Sequence, residues 1–280
     1  MSQNVSILTL VENAISDLEN ALPARNQTAV QLQEIIAAPD YDIQEILQII
    51  ESDQALTAEI LRVANSPFYG GLAEITTIRN AVVRLGGAEV ARLAIAAIEK
   101  ENYRVRDVSL AKFMVPLWNH AMGVAMGSRW LARRLGYGDR EHEAFIAGLL
   151  HDVGKLLLVR VCDDLKERGI IIQDVPDAVV REILEAGHCR HGEALLQHWG
   201  LPSVYRKIVR EHHGKEIDEH DTLLLIVRLS NIACRSLGIG LESESSLNMS
   251  ATEEAHLLDV DDILLAELSI MLEDSFLQHA

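Results

Sequence analysis

The chain has 280 residues, 49% hydrophobic and 24% charged, enough for one large domain or two small ones with their own cores. Its formal charge of −17, with the basic residues scattered, opposes binding to a phosphate backbone, so no nucleic-acid partner is expected. Cys162, Cys189 and Cys234 form no CxxC pair, no apolar run approaches the ~20 residues of a membrane span, and the N-terminus MSQNVSILTLVENAISDLEN lacks the basic start of an export signal; the expectation is a cytoplasmic protein with no membrane partner.

The hydrophobic period is helical almost throughout. In 42-DIQEILQIIES-52, Ile43, Ile46, Leu47 and Ile50 share one helix face, and Ser52 is the expected N-cap of 53-DQALTAEILRVAN-65, which Pro67 ends. In 64-ANSPFYGG-71, Asn65 and Ser66 can cap the turn into Pro67 while Phe68 and Tyr69 pack on the next helix. A stripe of Ile78, Ala81, Val82 and Leu85 closes at Gly86 and Gly87, and a further helix runs through residues 88–100. Longer helices follow over 109–135 and 139–160, with Pro176, Pro202 and Asp221 standing where later ones begin. Period-two alternation is confined to 169-GIIIQDV-175, so the protein is expected to be all-α. The segment 256–278 reads as a last amphipathic helix after the polar stretch 242–255.

Polar side chains interrupt these apolar stripes. His120 falls in line with Phe113, Leu117 and Val124; Asp152 with Phe145 and Leu149; His188 with Leu195; His212 with Ile208; Asn231 with Leu224 and Val227. Five inward polar groups must satisfy one another, bind water or hold a cation, because an unpartnered buried imidazole or carboxylate costs several kcal/mol. A lone inward histidine is more often a satisfied core residue, and His212 with His213 before Gly214 also suits the negative end of a helix. The adjacent His151 and Asp152 in 145-FIAGLLHDVGKLLL-158 point about 100° apart on a helix and reach one centre only by projecting into a crevice. His142, His191, His198, His220, His256 and His279 read as surface or incidental, although His188 and His191 have i, i+3 ligand spacing.

The order His120, 151-HDVGK-155, His188 in 187-GHCRHGEALLQHWGLP-202 and 212-HH-213 resembles the HD superfamily of metal-dependent phosphohydrolases, especially its HD-GYP branch. More specifically, 56-LTAEILRVANSPFYGG-71 followed by 75-ITTIRNAVVRLGG-87, 118-WNHAMGVA-125 and 145-FIAGLLHDVGK-155 resembles the HDOD family, HD-related output domains of bacterial signalling proteins, over residues 20 to 240. This resemblance implies an all-α fold with an N-terminal helical lobe (1–105) packed on an HD-type helical bundle (106–240), then a polar linker and C-terminal helix (241–280).

It also implies metal ligands at His120, His151 and Asp152, and at Asn231 in 226-IVRLSNIAC-234, where an active HD enzyme has an aspartate. His188, His212 and His213 match further ligands of the HD-GYP branch, and Lys155 matches its phosphate-contacting lysine. The Gly-Tyr-Pro motif is missing, since 214-GKEIDEH-220 follows His213, and Pro116 stands four residues before His120 in place of a carboxylate. The implied function is a non-catalytic signalling domain with a degenerate His/Asp centre for a divalent metal (Mn, Fe, Zn, Ni or Mg) and a regulatory protein partner. The alternative is a metal-dependent phosphohydrolase acting on a nucleotide or small phosphorylated ligand, with Asp152 and Lys155 in the reaction.

Overall fold

The computed structural model describes residues 7–18, 26–38, 40–66, 69, 74–171 and 174–276, which are all-α, with no strand among them. They fall into two compact units, one spanning residues 24–102 and the other residues 103–276 together with the first helix, α1 (Ile7–Leu18). No helix of the described residues is long and apolar enough to cross a membrane.

The first unit comprises α2 (Gln27–Ala37), α3 (Ile43–Glu51), α4 (Gln54–Ala64), α5 (Ile78–Leu85) and α6 (Gly87–Lys100). Side-chain oxygens of Asn26, Asp42, Asp53 and Thr77 accept from first-turn amides, satisfying donors that a helix start leaves open. The cap of α4 is therefore Asp53 and not Ser52, whose hydroxyl donates back to the Ile49 carbonyl. Gly86, at φ 90°, ends α5 as the glycine pair predicts. Asn65 does more than cap a turn: its amide donates to the carbonyls of Leu61 and Ile75 and accepts from the Ile75 amide, tying both ends of the intervening loop together. Pro67 and Phe68 lie outside the described residues. Helices α2 and α4 pack on α6, which buries the ion pair of Glu89 and Arg92 among Val90, Leu93 and Ile95; the Tyr69 hydroxyl donates to Glu89 at 2.5 Å.

The second unit is built on α7 (Val108–Arg134), which packs against α8 (Glu141–Leu150), α12 (Thr222–Ser236) and α14 (Asp262–Phe276); α9 (Val153–Glu167) and α10 (Asp177–His198) pack together, with α11 (Ser203–Glu211) on α10. Leu110, Phe113, Leu117, Val124 and Leu131 of α7 are all buried, each stabilising the unit by roughly 1.5–3 kcal/mol. Pro176, Pro202 and Asp221 precede α10, α11 and α12 directly, and Asp221 accepts from the Leu224 amide.

Two features depart from the periodicity. The expected single helix over 139–160 is divided: α8 ends at Leu150, His151 and Asp152 form a turn, and α9 begins at Val153. The C-terminal helix is also divided, into α13 (Glu253–Leu257) and α14, by a turn in which Asp259 takes φ 53°. Glycines set how closely the helices approach. A Cβ at Gly148 would lie 2.7 Å from the Val124 carbonyl, and one at Gly154 would lie 1.9 Å from that of His188, so only hydrogen fits at either crossing.

Candidate metal centre

Helix crossings bring the predicted polar residues together inside the second unit. His120 comes from α7, His151 and Asp152 from the α8–α9 turn, His188 from α10, His212 from the end of α11 and Asn231 from α12; all six are buried. The break at His151 lets two consecutive side chains point at one centre, the condition that a continuous helix would deny them. His213, in the same turn as His212, is exposed and lies at the rim.

Four of the rings are held in the same way. Nδ1 of His120 lies 2.9 Å from the Ile239 carbonyl, that of His151 2.7 Å from Gly148, that of His188 2.8 Å from Leu184 and that of His212 2.9 Å from Val209. A carbonyl only accepts, so each Nδ1 carries a proton, and a ring that is neutral presents its lone pair at Nε2. Those lone pairs surround one carboxylate. Asp152 Oδ1 is 3.3 Å from His212 Nε2 and 3.4 Å from His188 Nε2, and Oδ2 is 3.5 Å from His151 Nε2 and 3.7 Å from His120 Nε2. The His120 and His151 Nε2 atoms are themselves 3.3 Å apart.

Such an arrangement places acceptors against acceptors. Asp152 Oδ1, His212 Nε2 and Asn231 Oδ1 are buried without hydrogen-bond partners, which is costly unless a cation lies among them. Burial pushes the imidazoles of His120 and His212 down to about 4 and lowers that of His188, so neutral rings prevail at neutral pH. Burial also opposes ionisation of Asp152, but the neighbouring Lys155 ammonium, 3.0 Å away, holds its carboxyl well below the ordinary range. Imidazole nitrogens grouped around an ionised carboxylate fit a divalent metal. The ligand atoms form two sets, His120 with His151 and Asp152, and Asp152 with His188, His212 and His213, and Asp152 belongs to both.

The centre opens into a cavity lined by His120, Asp152, Lys155, Asn231, Leu241 and Glu242, among others. Water can enter only ≈ 10 Å³ of it, about the room of one water molecule or one ion. The irregular segment after α12 makes part of the wall. Its Ile239 carbonyl orients His120, and Gly240, at φ 131°, passes so close that a Cβ would stand 3.0 Å from the His120 ring. Sequence reasoning missed this segment, together with Glu185, Arg235 and Glu242. The signal available was the pair of glycines in 238-GIG-240, about one turn past Arg235 and two past Asn231.

Histidines set aside in the sequence divide. His198 and His220 are exposed, whereas His191 is buried and, of the two readings surface or incidental, fits the second, with Nε2 3.4 Å from Glu12 of α1. Its i, i+3 spacing from His188 does not bring it into either ligand set. His279 lies outside the described residues.

The HDOD domain family matches residues 22–215, and the chain belongs to that family. It is 26% identical over 235 residues to an uncharacterized protein of Treponema pallidum (strain Nichols), covering 82% of this chain and 45% of that one; it thus spans less than half the length of that relative. Its fold is shared with an HDOD domain protein of unknown function from Geobacter sulfurreducens, at TM-score 0.73 and 21% identity, covering 96% and 98% of the two chains. A provisionally named metal-dependent phosphohydrolase from Shewanella amazonensis SB2B follows at TM-score 0.67 and 19% identity, with 95% and 97% covered. A provisionally named signal transduction protein from Marinobacter aquaeolei VT8 gives TM-score 0.66 and 20% identity, covering 99% of this chain and 66% of that one.

Proposed function

We propose that the chain is a regulatory domain of bacterial signal transduction whose His/Asp centre holds a divalent metal without hydrolysing a substrate, and that its output passes to a regulatory protein partner. One observation carries the first part: Nε2 of His120, His151, His188 and His212 converge on Asp152 beside a cavity with room for an ion. Asn231 supports it, because a neutral amide at that position leaves Asp152 as the only anion in the two ligand sets. The ligands would be His120, His151, Asp152, His188, His212 and His213, with the Asn231 carbonyl oxygen as a neutral contributor.

The hydrolase reading rests on Lys155. Its ammonium is buried at the cavity, and although burial opposes the charge, Asp152 and Glu185 hold its pKa above the ordinary value; a permanent cation beside a metal centre suits a phosphoryl group. In that reading the metal would supply Lewis-acid polarisation of the phosphoryl oxygen.

Metal analysis of protein purified without chelator, followed by assays on phosphodiesters and nucleotides with and without added metal, decides between them. Bound metal without turnover supports the regulatory reading, and metal-dependent turnover overturns it.

A further inference from the structure

The turn that carries His212 and His213 is gripped from α12 by one side chain. Arg228 Nη1 donates to the Gly214 carbonyl at 2.8 Å and to the Glu211 carbonyl at 3.2 Å, so a single guanidinium nitrogen holds the main chain on both sides of the two histidines. The Gly214 amide closes the same turn onto the Glu211 carbonyl at 2.8 Å. Carbonyls at the end of a helix lack intrahelical donors and carry its negative pole, which makes the end of α11 a natural seat for a cation. The two ligands depend on this turn unequally. His212 Nδ1 is oriented by the Ile208 and Val209 carbonyls, whereas His213 touches the rings of His188 and His212, at centroid distances of 5.3 and 4.3 Å, and takes its position from the main chain of the turn.

An arginine placed there needs an anion, and α13 supplies it. Arg228 Nε donates to Glu254 Oε1 at 2.7 Å, and the two side chains are only 11% and 7% exposed. Removing either member of so buried a pair strands the other. Glu254 is itself well placed: the Thr252 hydroxyl caps α13 by accepting from the Ala255 amide, and Ala255 is buried beneath it. Arg228 therefore joins three stretches that are distant in sequence. They are the turn bearing His212 and His213, helix α12 with Asn231 three residues further along, and the C-terminal segment.

We propose that Arg228 is a positioning residue of the metal centre: it holds the 211–214 turn so that His212 and His213 meet Asp152 and His188, and Glu254 of α13 keeps it there. Docking of α13 and occupancy of the centre are thereby linked, so whatever displaces α13 weakens the ion, and the ion in turn steadies α13. The inference rests on the metal-bearing reading above, with His212 and His213 among the ligands.

Zinc affinity of the full chain, measured by competition with a chelating dye, together with amide exchange of the same samples, tests this. R228M keeps an unbranched stem without a donor and is expected to bind zinc at least tenfold more weakly than the parent. R228K keeps the charge but cannot grip two carbonyls and a carboxylate at once, and its affinity is expected to fall between the two. E254Q is expected to weaken zinc binding as well, and R228M with E254Q to bind no more weakly than R228M alone, because Glu254 acts through the arginine. Zinc is expected to slow amide exchange across 253–257 in the parent, and less so in E254Q. If R228M does not fold, R228K and E254Q carry the test. Variants that lose stability yet hold zinc as the parent does, or losses of affinity that add in the double variant, overturn the positioning role and leave the metal reading standing. A parent chain that takes up neither zinc nor manganese overturns both.

Discussion

Asp152 Oδ1 lies 3.3 Å from Nε2 of His212, and neither atom has a hydrogen-bond donor. The His212 proton is committed to Nδ1 and the Val209 carbonyl, so this contact sets lone pair against lone pair until something positive enters. Removing one partner should therefore remove what holds the other. H212A is expected to lower affinity for a divalent ion by on the order of 100-fold, measured by competition with a chelating dye. Unchanged affinity would place the ion elsewhere.

Metal removal should be visible as lost stability. An ion present at a hundred times its Kd adds about 2.7 kcal/mol to folding, roughly 5–10 °C in Tm for a chain of this size. Differential scanning calorimetry before and after dialysis against EDTA gives the value, and coincident transitions would argue that the centre is satisfied by water alone.

Asn231 offers a gain of function. Its Oδ1 is buried, unpartnered and aimed at the cavity. N231D is expected to tighten divalent-ion binding on the order of 10-fold by adding a second anion to the ligand set. In chelator-treated protein the same substitution should destabilise the fold, because a second buried carboxylate would have no partner.

The imidazoles set a pH dependence. His120 and His212 titrate near 6.5 in the unfolded chain, and burial lowers both to about 4 in the folded one. Between these values the unfolded state holds more protons, so stability falls as pH falls. Metal-free protein is expected to have its full stability above about pH 6.5, to lose it progressively toward pH 4, and to gain no further slope from these groups below that. Bound metal should carry the loss to lower pH. Melting curves at pH 7, 6, 5 and 4.5, with and without chelator, read this out; parallel curves for the two forms would count against the site.

Gly154 tests the helix crossing that brings His188 to Asp152. A Cβ there would stand 1.9 Å from the His188 carbonyl, so G154A must push α9 and α10 apart. The expected cost is about 1–3 kcal/mol or more in urea unfolding, with weaker metal binding than in the parent. A variant of unchanged stability and affinity would show that the crossing relaxes freely.

The all-α class, most helix starts and the inward histidines were legible because they depend on local spacing: Pro176, Pro202 and Asp221 punctuate the chain where α10, α11 and α12 begin, and His120 and His188 lie on apolar stripes that are indeed buried. The break between α8 and α9 was not, because Leu149, Leu150, Val153 and Leu156 continue an apolar pattern across it, and tertiary packing overrode the period. The burial of His191, read as surface or incidental, was not legible because its partner Glu12 is 179 residues away, a distance over which periodicity carries nothing. Glu89 and Arg92 were read only as helix residues; two charges three apart usually mark a solvated face, and here Tyr69 and the surrounding apolar residues enclose them. The wall segment escaped notice for a related reason. What it contributes to His120 is a main-chain carbonyl, and main chain has no letter in the sequence.

Because Asp152 gives one oxygen to His188 and His212 and the other to His151 and His120, the two histidine sets cannot be dissected independently. Losing a ring on one side lets the carboxylate rotate and spoils the other side too, so paired substitutions such as H120A with H212A should cost less together than the sum of each alone. A genetic screen would score the whole centre as a single locus, and partial phenotypes graded by residue should be rare.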